Sequence, residues 1–174
     1  EDVIKKNIQL NIDILKKILI SQRGHFSFIL IYYDYIFAAV DIVSSHPIFY
    51  SFNNKQIIIS NSAVKLKNKY TLNNTEPGAL FEFYSSSYVT GANTIYSNLF
   101  KIRPGEILSI NSKKNSYNFE NYFSYKPTID QNQNRKEVKY LDELDKIMNS
   151  IFLDVIEKAN GDPIWIPLSG GLDS

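Results

Sequence analysis

The sequence predicts an α+β protein. It reads as an antiparallel, β-rich domain over residues 1–124, a linker at 125–134, and a long helix followed by a strand at 135–174. Three observations carry this. Runs of aromatic and β-branched residues come in pairs between Phe26 and Ser60, each pair split by a turn signal. Apolar residues recur at helical spacing from Val138 to Ala159, the clearest periodic signal in the chain. A short apolar run, Ile164 to Leu168, then leads into Ser169-Gly170-Gly171-Leu172-Asp173-Ser174, as a buried strand leads into a tight turn.

Each element has its own warrant. Residues 1 to 20 predict an amphipathic helix with apolar positions such as Ile12, Leu15 and Leu19 and a lysine-rich back, weakened by Asn7 and Asn11. Gly24 ends it. Phe26 to Tyr33 and Tyr35 to Asp41 predict strands about a turn at Asp34; Pro47 to Phe52 and Gln56 to Ser60 predict a second pair about Asn53-Asn54. Ser62 to Asn68 predicts a short helix. Another is expected from Thr75, whose hydroxyl would cap a helix with Pro77 in its first turn, to about Tyr84. Arg103-Pro104-Gly105-Glu106 suits a type II turn between strands, with Ile107 to Ile110 and Ser116 to Tyr122 following. The polar stretch from Pro127 to Asn134 reads as the linker, and Asn160-Gly161-Asp162-Pro163 stops the long helix.

Composition narrows the function. The 174 residues are 44% hydrophobic and 14% aromatic, enough for a real core. Lys and Arg number 19 against 18 Asp and Glu, so a net charge of +1 gives no electrostatic reason to expect nucleic acid or an anionic membrane as partner. No cysteine is present, hence no disulfide, no thiolate zinc site and no cysteine nucleophile in these residues. No run approaches the roughly 18 apolar residues of a membrane helix and no signal peptide opens the chain, so a cytoplasmic location is expected. Glu1 at one end and an abrupt stop at Ser174 suggest a piece of a longer protein.

The chemistry concentrates in Ser169 to Ser174. Two adjacent glycines let the backbone turn sharply and approach a ligand with no Cβ in the way. Ser169 and Ser174 add hydroxyls, and concave backbone N–H groups of this kind hold phosphate oxygens. An ordinary Ser-Gly-Gly turn is the plain alternative. Ser169 is no nucleophile-elbow serine, because Pro167 stands where that motif needs glycine, and no Gly-Lys-Ser/Thr of a Walker A loop occurs. His25 and His46 lack ligand-spaced partners and suit strand-edge or turn positions. Asp34 and Asp41 flank a strand and suit turn and strand-end roles rather than a catalytic pair. The aromatics at Tyr32 to Phe37 and Phe81 to Tyr88 suit a packed sheet better than base stacking.

Ser169 to Ser174 resembles the pyrophosphate-binding loop (PP-loop) of the N-type ATP pyrophosphatases, where SGG-x-D-S follows the first strand of an α/β domain and opens a helix. Upstream, Gly24-His25-Phe26-Ser27-Phe28 with Asp34 is similar to the Gly-x-Phe-Ala-Phe…Asp strand of asparagine synthetases. Asp41 through Tyr50 is similar to that family's Asp-Arg-x-Gly-x-x-Pro-Leu-Tyr-Tyr segment. Tyr88-Val89-Thr90-Gly91, Thr94-Ile95-Tyr96 and Ile102-Arg103-Pro104-Gly105-Glu106 follow the stretch that closes the family's glutaminase-like domain. The segments come in family order and cover nearly the whole chain. The departures are specific: Ile42 and Ser44 replace the arginine and glycine of Asp-Arg-x-Gly, and the catalytic cysteine and glutamine-binding segments would lie before Glu1. The chain resembles a divergent member, closer to relatives with a degenerate glutaminase-like half.

The resemblance implies a glutaminase-like (Ntn αββα-type) partial domain at 1–124 and the start of a PP-loop domain at 135–174. It implies a parent enzyme that is an ATP-dependent amide-forming ligase: a small-molecule carboxylate attacks the α-phosphorus of ATP, and ammonia or an amine attacks the acyl-adenylate. ATP and Mg²⁺ are the implied cofactors. Ser169, Gly170, Gly171 and Ser174 would contact pyrophosphate, Asp173 would ligate Mg²⁺, and Leu168 would lie near the nucleotide. These residues alone would be inactive, and no catalytic residue is assigned within them. A second expectation is that residues 1–124 are a non-catalytic, glutaminase-like packing or protein-binding module.

Overall fold

A computed structural model describes residues 2–53, 56–126 and 137–171, with side chains described from residue 12 in the first helix and from residue 139 in the last. The chain forms α1 (Asp2–Ser21), β1 (Ser27–Tyr32), β2 (Tyr35–Val40), β3 (Phe49–Asn53), β4 (Gln56–Ser60), α2 (Ala63–Tyr70), α3 (Pro77–Ser86), β5 (Phe100–Lys101), β6 (Glu106–Asn111), β7 (Ser116–Asn121) and α4 (Glu137–Ala159). The architecture is α+β, with every strand pairing antiparallel. It divides into two compact units, residues 1–126 and 127–174.

The first unit holds two sheets, in the orders β1-β2-β6-β7 and β4-β3-β5. The alternation along β2 explains how the four-stranded sheet packs. Ala38 and Val40 join Leu108, Ile110, Ile48, Tyr50 and Ile102 in a core between the sheets. Ala39, on the opposite face, joins Ile107, Tyr122 and Leu19 of α1, with Leu15 and Phe28 packed alongside. Both faces of β2 are therefore covered, which is why Phe37 to Val40 is a continuous apolar run. α2 packs against β3 and β4.

α1 buries Ile12 and Leu19 but leaves Ile14 and Ile18 about half exposed. β1 is an edge strand, and Ile29, Leu30, Ile31 and Tyr32 are exposed there as well. The opposite edge, β7, carries Asn118, Glu120 and Asn121, the polar dressing expected of an edge. Lys16 of α1 forms an ion pair with Glu120 at 2.6 Å, tying the helix to that edge.

Several expectations change in detail. The cap of α3 is Glu76 without a side-chain hydrogen bond, not Thr75; Pro77 does open the helix. Thr75 instead bridges to Tyr96, so its backbone serves a strand-like pairing one residue ahead of the cap. α2 keeps its serine cap, with the Lys65 N–H donating to Ser62 Oγ. β5 was not anticipated, because two residues are too few to show alternation; it exists because β3 offers a free edge. The hairpin about Asn53-Asn54 forms between β3 and β4, and Asn54 itself lies outside the described residues.

The second unit consists, among its described residues, of α4 and a tail without regular secondary structure. The strand expected at Ile164 to Leu168 is not formed: among the described residues no strand pairs with the run, and Trp165 is 90% exposed. The reason is topological, since α4 is the unit's only described regular element and an extended segment needs a second strand to become a ladder. Of the linker expected at 125–134 only residues 125 and 126 are described, and Tyr125 is 83% exposed.

Candidate functional site

The loop singled out by sequence is described as far as Gly171. Leu168 is exposed. Gly170 has φ +77°, a left-handed conformation, and a Cβ built there would meet nothing within 4 Å. The Gly171 N–H donates to Ser169 Oγ at 3.3 Å, turning the backbone over the serine hydroxyl. A Cβ on Gly171 would make only a 3.4 Å contact with Ser169 Oγ, and its φ is not left-handed. Among the described residues the loop thus requires a permissive residue at 170, and no contact closer than 3.4 Å requires glycine at 171. Leu172, Asp173 and Ser174 lie outside the described residues, so the implied Mg²⁺ ligand has no described geometry. Among the described residues no group of three or more His, Asp or Glu side chains gathers in the manner of a metal site.

The first unit contains a second organised centre, at Asp41. This carboxylate is 1% exposed and follows the last residue of β2. Its Oδ2 accepts from the Phe26 N–H at 3.0 Å, its Oδ1 from the Val43 N–H at 2.9 Å, and both oxygens from the Ser45 N–H at 3.2 Å. Burial pushes the carboxyl pKa up. The donors from Val43, Phe26 and Ser45 outweigh that penalty, and the pKa lies below its ordinary value. The Tyr122 hydroxyl donates to the Val40 carbonyl at 2.7 Å next door, and burial together with the Asp41 charge pushes its pKa up to about 12.

Asp41 also fixes the residue it does not bond by side chain. Ser44 has φ 56°, held between the tethered N–H groups of Val43 and Ser45, and its own N–H donates to the Asp41 carbonyl at 3.1 Å. The asparagine synthetase pattern has glycine at this place. The backbone keeps the conformation that glycine favours although the residue is serine.

The turn at 103–106 is built on the same plan. The Glu106 N–H donates to the Arg103 carbonyl at 3.1 Å and Gly105 has φ +69°, as a type II turn requires. A Cβ on Gly105 would lie 2.6 Å from the Phe123 carbonyl oxygen, so glycine is required twice over. Glu106, 2% exposed, accepts from the Arg103 backbone N–H at 3.0 Å and from its guanidinium Nε at 3.0 Å. That hydrogen bonding, reinforced by the glutamate charge, raises the Arg103 pKa.

His25 meets the Ser45 hydroxyl at an exposed position, a turn contact. Asp34 contributes its carbonyl, which accepts from the Ser112 N–H at 2.8 Å and from its hydroxyl. Asp34 and Asp41 therefore serve backbone geometry and do not form a pair. The sequence did not single out Lys101, which lies in the two-residue β5 and lines a cleft together with Ser44. Its one legible trait was a charge in an otherwise apolar stretch, Leu99 to Ile102. No known family model matches the chain, and no curated protein shows a significant similarity to it.

Proposed function

We propose that this chain belongs to an ATP-dependent amide-forming ligase of asparagine synthetase type, with a glutaminase-like first unit and a PP-loop beginning at Ser169. The observation that carries the reading is Gly171. Among the described residues neither a left-handed backbone nor a contact closer than 3.4 Å requires a glycine there, whereas close approach of a phosphate to the backbone would. Gly170 turns the chain here, and a bound phosphate would take over the Gly171 N–H that now donates to Ser169 Oγ. Two antiparallel sheets packed face to face, with α1 on one and α2 against the other, agree with the layering of a glutaminase-like domain.

In this reading Ser169, Gly170, Gly171 and Ser174 hold the departing pyrophosphate, and Asp173 holds the Mg²⁺ that offsets its charge. Leu168 borders the nucleotide. The carboxylate substrate and the ammonia or amine donor meet outside the described residues, and no catalytic side chain is assigned within them. A cytoplasmic setting suits an ATP-consuming reaction, and among the described residues no helix is long and apolar enough to cross a membrane. The exposed edge of β1 favours a second role for residues 1–124, as a packing or protein-binding module without glutaminase chemistry.

The test is exchange of labelled pyrophosphate into ATP, in the ligase that contains this chain and with its carboxylate substrate present. Asp173→Asn is expected to slow exchange by about a hundredfold to a thousandfold, the usual cost of one preorganised charge contact. Gly171→Ala is expected to abolish exchange while leaving the melting temperature unchanged. Wild-type exchange in both variants sinks the assignment, since Asn and Asp cap a turn about equally well.

A further inference from the structure

We propose that the cleft beside Lys101 binds a small organic monocarboxylate with an apolar body. The cleft measures about 430 Å³, inside the roughly 300–1,000 Å³ of small-molecule sites. Phe49, Phe83 and Val89 supply apolar walls, and Ser44 and Ser87 supply hydroxyls. Lys101 is the one charged residue in the lining. Among the described residues no carboxylate pairs with it.

The ammonium is held in place without being neutralised. Its Nζ donates to the Val89 carbonyl at 2.9 Å and sits 4.5 Å from the centroid of the Tyr88 ring. One of three N–H donors is used and the positive charge remains. A cation anchored by a carbonyl and a ring face loses little freedom on meeting an anion, which lowers the cost of binding.

Two further parts of the lining are equally fixed. Asp41 tethers the backbone on both sides of Ser44, and Ser87 closes α3 in a left-handed conformation with its N–H on the Phe83 carbonyl at 2.7 Å. One positive charge, a few neutral polar groups and a mostly apolar wall match a single carboxylate on a hydrophobic group. A phosphate dianion would bring a second charge with no cation to meet it. The cleft lies wholly in the first unit and does not depend on the reading of Ser169 to Ser174.

The test titrates the 174-residue chain with sodium phenylacetate, followed by amide chemical shifts. Two comparison probes are 2-phenylethanol, which keeps the body without the charge, and sodium acetate, which keeps the charge without the body. Saturable shifts at Ser44, Val89 and Lys101 are expected with phenylacetate, and binding at least about tenfold weaker with either comparison probe. Lys101→Met should lose the preference for phenylacetate over 2-phenylethanol, and Lys101→Arg should keep it. Should Lys101→Met unfold, Phe83→Ala at the exposed wall decides, by weakening phenylacetate several-fold with the fold intact. Equal binding of phenylacetate and 2-phenylethanol, or no saturable shift at these residues, overturns the proposal and leaves Lys101 as a tether of the Tyr88-Val89 segment.

Discussion

The two units use the same residue types in opposite ways. In the first, three unusual residues are answered by a neighbour: the buried carboxylate of Asp41 by three backbone donors, Glu106 by Arg103, the missing Cβ of Gly105 by the Phe123 carbonyl. In the second, a Cβ at Gly170 would meet nothing within 4 Å, one at Gly171 would make no contact among the described residues closer than 3.4 Å, and Leu144, Ile151 and Trp165 are about half exposed or more. A glycine or an apolar side chain is informative about fold when its own unit explains it. It is informative about a ligand or partner when its own unit does not. The comparison predicts that substitutions in the first unit act on stability, and that those at Gly171 act on function alone.

The largest expected effect is Gly105→Ala. Alanine at φ +69° meets left-handed strain, and its Cβ meets a backbone oxygen that has no flexible side chain to move. The two together cost about 2–4 kcal/mol, read as a shift in the urea midpoint. Gly171→Ala should shift the same midpoint by less than about 0.5 kcal/mol, the range of surface changes. Equal effects at both glycines would erase the distinction between the units.

Asp41→Asn comes next, at about 1–3 kcal/mol, because the amide turns an NH₂ group toward at least one of the three N–H donors now facing oxygen. The pH dependence gives a separate signature. The folded pKa of Asp41 lies below the 3.8 of the free group, so the ionised carboxylate contributes stability above about pH 4. That contribution disappears as pH falls through the folded value. Thermal melts from pH 7 to pH 3 should therefore show a shallower acid limb in Asp41→Asn than in the wild type. An unchanged limb means other carboxylates control acid unfolding.

What was legible in the sequence follows the same division. Strand pairs such as Ser27–Tyr32 with Tyr35–Val40 were legible because the turn between them is short and both runs are β-branched or aromatic. The type II turn at Pro104-Gly105 was legible because it depends on two residues only. β5 was not, since Phe100–Lys101 is a strand by virtue of β3 beside it. Neither was the part played by Asp41, whose donors at Phe26, Val43 and Ser45 come from both ends of a hairpin. The run Ile164 to Leu168 misled in the other direction: its apolar pattern describes a burial that the described residues of its unit do not supply. Sequence pattern reports what a segment needs, and the fold decides whether its neighbours meet the need. For the candidate sites, Ser169 to Gly171 were legible as a motif, while the Lys101 cleft was invisible because it joins residues from Val43 to Pro104 that share no spacing.

Ser44 is the place where the comparison can be broken from within the first unit. Its φ of 56° is held by the tethers that Asp41 places on Val43 and Ser45. A left-handed L-residue costs about 1–2 kcal/mol, and glycine avoids that strain while losing about 0.5–1 kcal/mol through its freer unfolded chain. Ser44→Gly is therefore expected to stabilise the first unit by about 0.5–1 kcal/mol, a small rise in the urea midpoint at unchanged slope. Such a gain would mean that the fold alone does not favour serine here, which fits a hydroxyl kept for what occupies the cleft it lines. A neutral or destabilising result would mean the opposite: the Ser44 side chain contributes to the fold, and the first unit accounts for all its own residues.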